Sequence, residues 1–231
     1  MAFLKFNKSE LVNLSYSLKR EIVRANKAGA YCNTSIVTCN TRRYHGLLAV
    51  TLDRFNGDRF MLLSSVDESL MVDGKQFNLG IHCYGDTYEP RGHKYVVDFS
   101  GGTVSAITYK VGEIVFRKSL FLVKDKAQVL IKYEVLSSPA PVTLQLRPHL
   151  AFRNVHALTH QNSDANIYGS EIQNGMAYRL YANFPDLNLQ ISDSKAKYTE
   201  APYWNMNITY SDEYRRGFDC REARVSRSRP T

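Results

Sequence analysis

No stretch of the chain comes near the ~18 consecutive apolar residues that a membrane-crossing helix needs. The opening MAFLKFNKSE lacks the apolar run of a secretory signal. Cysteine is scarce. Cys32, Cys39, Cys83 and Cys220 contain no C-x-x-C pair, so neither a disulfide framework nor a zinc knuckle is indicated. These absences point to a cytoplasmic setting with reduced thiols. The N-x-[ST] matches at Asn7, Asn13, Asn33 and Asn207 then carry no glycosylation. There is no G-x-x-x-x-G-K-[ST] and no G-x-G-x-x-G, so no phosphate-cradling loop and no cofactor is implied. There is no G-x-S-x-G, which removes the nucleophile elbow.

Acidic charge is in deficit. The chain carries a formal +8, and its last nine residues, ARVSRSRPT, hold Arg224, Arg227 and Arg229 with no acid. Setting those three arginines aside leaves about +5, a mild excess and not an electrostatic footprint for nucleic acid. A basic amphipathic helix is missing too, so neither nucleic acid nor a membrane is an expected partner.

Alternation of period two is what the sequence has in quantity. Val142, Leu144, Leu146, Pro148 and Leu150 share one face, and Thr143, Gln145, Arg147 and His149 the other. Val129, Ile131, Tyr133 and Val135 repeat the pattern, as do Leu187, Leu189 and Ile191. Such runs read as strands with one side in a core and one side wet. Asp73-Gly74, Gly112-Glu113, Asn174-Gly175 and Lys124-Asp125-Lys126 are turn signals between runs. The expectation is an all-β fold: a large antiparallel sandwich with at most one or two short helices. In 231 residues it has room for a substantial core. Leu11, Leu14, Leu18 and Ile22 at helical spacing predict a helix over 9–24, with a strand over 20–25 as the rival. Residues 210–221 read as a short helix or an extended linker.

Three segments concentrate groups suited to hydroxylated or anionic ligands. They are NTRRYHG (Asn40, Arg42, Arg43, Tyr44, His45), YEPRGHKY (Tyr88, Arg91, His93) and LRPHLAFRNVH (Arg153, His156). Arginine forks onto carboxylates or paired hydroxyls, and tyrosine and histidine add donors and stacking surface. Two readings of NTRRYHG stay open: direct ligand contact, or arginines paired with acids that pin a loop or a domain interface. Arg147, His149 and Arg153 carry the same alternative of a plain wet face. His156 and His160 are spaced i, i+4, but without H-E-x-x-H no metal site is assigned. The acids Asp67, Glu68, Asp86, Glu89, Asp212 and Glu213 give no identifiable catalytic pair by spacing.

Gly29 to Val50, GAYCNTSIVTCNTRRYHGLLAV, resembles the N-terminal domain of bacterial and archaeal glycogen debranching enzymes, matching throughout Asn40 to Leu48. LRPHLAFRNVHALT (Leu146 to Thr159) is similar to a second motif of that family. Ala30, Thr38 and Cys39 depart from its pattern by small-for-small changes. The resemblance implies a β supersandwich preceding an (α/α)6-barrel domain, in enzymes with amylo-α-1,6-glucosidase and 4-α-glucanotransferase-type activity on α-glucans such as glycogen and maltooligosaccharides. It puts the catalytic carboxylates in the barrel, so none is assigned here. The ten residues named in the three segments become candidates for glucan contact or for contact with that C-terminal catalytic domain. A free-standing carbohydrate-binding or regulatory protein is the alternative. The resemblance runs to about residue 222. Residues 223–231, basic and without apolar period, are expected to be a disordered tail.

Overall fold

The computed structural model describes residues 3–199 and 201–227. From the N-terminus the chain forms β1 (Leu4–Asn7), α1 (Lys8–Leu11), α2 (Leu14–Leu18), β2 (Glu21–Ala25), β3 (Tyr31–Ser35) and β4 (Gly46–Leu52). It continues through β5 (Asp58–Val72), β6 (Lys75–Asn78), β7 (His82–Tyr84), β8 (Thr87–Glu89), β9 (Val96–Gly101), β10 (Ser105–Val111), β11 (Ile114–Leu122) and β12 (Val129–Ser137). Next come β13 (Thr143–Asn154), β14 (Gly169–Ile172), β15 (Gly175–Tyr178), β16 (Leu187–Gln190), β17 (Pro202–Thr209), α3 (Ser211–Arg215) and β18 (Arg221–Arg227).

The strands form three sheets. A ten-stranded sheet has the order β2-β3-β4-β5-β13-β18-β17-β7-β8, with β6 paired on β5. A five-stranded sheet runs β1-β9-β10-β11-β12, and a three-stranded sheet β14-β15-β16. Every described pairing is antiparallel. The all-β sandwich is therefore the fold. The turns do what their residues predict. Asp73 and Gly74 both take positive φ, 48° and 73°, and set Val72 opposite Lys75. Asn and Asp tolerate that left-handed region and glycine has no Cβ to clash there, which is why such pairs close hairpins.

One core joins the sheets. Leu62, Leu70, Leu150, Phe152 and Val225 of the large sheet cluster with Phe99, Ile107, Tyr109, Phe116 and Leu120 of the five-stranded one. The strictly alternating burial of β11 shows one face turned inward. Among the described residues a single ion pair crosses this apolar layer. Lys118 Nζ on β11 lies 2.7 Å from Glu68 Oε1 on β5, and the Tyr133 hydroxyl of β12 donates to the same oxygen at 2.6 Å. Burial pushes Glu68 up despite both partners, and pushes Tyr133 well up too. Phe184, after β15, packs on Phe55, Phe60 and Phe152, seating the small sheet's end of the chain on the core.

Three expectations are corrected. Three short α-helices are present among the described residues, not one or two. The helix expected over 9–24 is broken. Asn7 and Asn13 each accept a backbone N–H and start separate turns, and Asn7 shares a capping box with Glu10. From Glu21 the rival strand wins, because β2 pairs along its length with β3. The third correction concerns the C-terminal end. Residues 223–227 belong to β18, which lies between β13 and β17 inside the large sheet. Ala223 and Val225 point to the core, and Arg224 is fully buried on the other face. Residues 228–231 of the expected tail lie outside the described residues.

Candidate functional site

The NTRRYHG segment is a turn against the outer face of the large sheet, ahead of β4. The His45 N–H donates to the Arg42 carbonyl at 3.0 Å, closing the turn, so the segment is not yet strand. Alternation therefore fails within it. Arg43 and His45 do not share a side with Tyr44 opposite. Instead Arg43 and Tyr44 both reach His156, and His45 turns inward. His45 Nδ1 accepts from the Thr41 N–H at 3.1 Å, and its Nε2 lies 3.2 Å from Glu21 on β2. That contact with His45, ahead of the opposing effect of burial, holds Glu21 below the usual carboxylate range, with Arg42 adding to it. Asn40 is equally structural. Its amide donates to the Ser64 carbonyl at 3.0 Å and its carbonyl accepts from Thr34 at 2.8 Å. Gly46 follows because a Cβ there would come 2.0 Å from Met61 Sδ, in a small apolar patch with Ala49, Ala151 and Val155.

The arginines split. Arg42, half-exposed, pairs with Glu21 at 3.2 Å and with Asp212 of α3 at 3.5 Å. Asp212 also accepts from the Thr41 hydroxyl and donates its N–H to the Thr41 carbonyl, so α3 clamps the turn. Arg43 donates to the His156 carbonyl at 3.0 Å and sits 3.8 Å from the buried Glu213. Beneath them lies a buried charged layer. Arg153 and Arg224 flank Glu222, with the Tyr210 hydroxyl donating to that carboxylate. Arg153 also donates to the Arg43 carbonyl at 2.7 Å. Burial alone would raise Glu222, but Arg153 and Arg224 outweigh it and hold the carboxyl low. Arg153 thus forms the buried floor of the turn.

What remains accessible is a cleft of about 450 Å³ lined by Tyr31, Asn33, Tyr44, Gly57, Asp58, Arg59, Val155 and His156. The Tyr44 hydroxyl lies 3.1 Å from His156 Nδ1, with the rings edge to face at 5.5 Å. The Tyr31 hydroxyl donates to the Tyr44 carbonyl at 3.0 Å. Burial pushes Tyr31 up to about 12, so it stays a neutral donor. Aromatic edges and faces, one carboxylate and one free-standing guanidinium suit a neutral polyol.

Of the ten sequence candidates, Arg43, Tyr44, Arg153 and His156 are brought together, with Asn40, Arg42 and His45 locking the same turn. Tyr88, Arg91 and His93 lie elsewhere. Tyr88 packs half-buried on the core, Arg91 is exposed beside Glu89 at 3.5 Å, and His93 is buried in a 3-10 turn where burial lowers its pKa. Sequence reasoning missed Tyr31, Asp58 and Arg59, because their strands meet the turn only through sheet pairing. The alternative of a plain wet face for Arg147, His149 and Arg153 does not hold, since all three are at least nine-tenths buried.

A second polar cluster lies further along the same sheet. The His82 Nε2 sits 2.8 and 2.9 Å from the two Asp67 carboxylate oxygens, and His149 Nε2 is 3.1 Å from one of them. Burial would raise Asp67, but the two imidazoles hold it well below the usual carboxylate range. Burial lowers His149 to about 4 against the pull of Asp67, so its ring is neutral.

Fold and site together define an antiparallel β-sandwich module with an aromatic and arginine turn packed on the outer face of its large sheet. The chain belongs to the family described as glycogen debranching enzyme N terminal, whose model matches residues 20–228. That match runs through β18, in agreement with the strand's place in the sheet. No curated protein and no solved structure matches the chain. No helix among the described residues is long and apolar enough to cross a membrane.

Proposed function

We propose that this domain contributes an α-glucan contact surface to a glycogen debranching enzyme, and that it docks on a helical catalytic domain lying outside the chain. The cleft beside Tyr44 and His156 carries the reading. It sits against the family's NTRRYHG turn, offers aromatic surface for sugar faces, and has hydrogen-bonding groups in Asn33, Asp58 and Arg59 for hydroxyls. The turn itself is immobilised by Glu21, Asp212 and Arg153, so its ordering cost is met before a ligand arrives. The activity of the whole enzyme, of amylo-α-1,6-glucosidase and 4-α-glucanotransferase type in the cytoplasm, belongs to the catalytic domain. Glycosidic hydrolysis needs two facing carboxylates, and among the described residues Asp58 is the one acid lining this cleft. The family match lends no support to a free-standing carbohydrate-binding or regulatory protein.

Titration with maltoheptaose, followed by backbone amide chemical shifts, tests the proposal. Weak, saturable shifts should centre on Tyr31, Tyr44, Gly57 and His156, and Tyr44→Ala should weaken them severalfold. Shifts centred on another surface, or none at ~10 mM sugar, where even a millimolar complex would be populated, would overturn it. Glucose release from glycogen by this chain would overturn the non-catalytic part.

A further inference from the structure

Asp67 on β5, His82 on β7 and His149 on β13 converge on one point of the large sheet's outer face. One ligand atom from each lies within 4.8 Å of the others, and the two imidazole centroids are 5.0 Å apart. His82 and His149 are buried, while Asp67 keeps 13% of its side chain exposed toward a cleft of about 240 Å³. Tyr84, Arg147, Tyr203 and Asn205 line the same cleft. The carboxylate is seated by the backbone opposite. A Cβ on Gly80 would come 2.8 Å from the Asp67 carboxyl carbon, so only glycine leaves it this place.

Internal hydrogen bonding does not complete this cluster. Each imidazole offers Nε2 to the same carboxylate. If both nitrogens carry protons, both Nδ1 atoms are acceptors, and His149 Nδ1 is buried with no hydrogen-bond partner among the described residues. Two imidazole nitrogens and one carboxylate form the ligand set that first-row divalent ions take, with metal–ligand distances of about 2.0–2.2 Å. Donor atoms around such an ion lie roughly 3–4 Å apart, so the observed spread needs little closure. The neighbouring cation Arg224 is already paired with Glu222.

We propose that Asp67, His82 and His149 bind a divalent first-row transition ion, zinc foremost, whose remaining coordination positions face the cleft. The ion joins β5, β7 and β13, and so fastens the β7–β8 hairpin to the centre of the sheet.

Equilibrium dialysis of the whole chain against zinc, with metal content measured after desalting, reads the stoichiometry. About one zinc per chain is expected. Asp67→Asn and His82→Gln, checked for folding by circular dichroism, should each weaken binding at least tenfold. The wild-type chain loaded with cobalt(II) gives a second reading that needs no variant. Visible d–d bands without a thiolate-to-cobalt charge-transfer band support the His/Asp site. Such a charge-transfer band would place the ion on cysteine and overturn the proposal. So would negligible zinc in the folded wild type, or binding that both folded variants retain in full.

Discussion

Lys118 shows how much a single residue can matter inside the sandwich. Its ammonium is buried with Glu68 and Tyr133 in the apolar layer between two sheets. Lys118→Met leaves the Glu68 carboxylate without its cation, which should cost about 3–5 kcal/mol in urea unfolding. Adding Glu68→Leu removes the stranded charge and should restore most of that loss, since a well-packed apolar pair replaces a buried ion pair at little or no cost. A single variant as stable as the wild type would show that the pair is inert. The same logic applies to Arg153. As a sugar ligand, its loss would change affinity; as the buried partner of Glu222, its loss changes stability first.

At the scale of elements, β18 is the decisive strand. A chain stopped after Cys220 loses the pairing partner of both β13 and β17. Such a chain should show no cooperative thermal transition by circular dichroism, whereas a stop after residue 227 should retain one. Why the strand was not legible is clear from its residues. Ala223, Arg224, Val225 and Ser226 do alternate, but over too few positions to outweigh the arginines, and Arg224 is neutralised by Glu222 and hydrogen-bonded by Tyr210, neither of which its own alternation reveals. The long alternations were legible: Val142–Leu150 became β13 and the run from Val129 became β12, because half-buried strands with short turns encode themselves locally. The cleft was half legible. Tyr44 and His156 stood in recognisable motifs, while Tyr31, Asp58 and Arg59 came to it through sheet register. His149 was read as wet because nothing in its own strand announces that His82 and Asp67 cover it.

For the whole molecule, carboxylates held by cationic or imidazole partners set the response to acid. Glu222 and Glu21 are both held below their ordinary value in the folded state, Glu222 by Arg153 and Arg224 against burial, Glu21 chiefly by His45. A depressed carboxylate contributes stability above its unfolded pKa and loses it as pH falls through the folded one. Urea midpoints should therefore be flat through neutrality and drop below about pH 4.5, the unfolded carboxylate range. Glu222→Gln should lower the midpoint at pH 7 and flatten the acid limb; an unchanged limb would remove Glu222 from the account. The order of strands has a further consequence, for synthesis. β13 and β17 meet only through β18, whose residues are the last of the described chain to leave the ribosome. Until then the large sheet is two fragments with facing open edges, each a template for a neighbouring nascent chain. This domain is therefore most prone to aggregate in the seconds just before its final strand arrives.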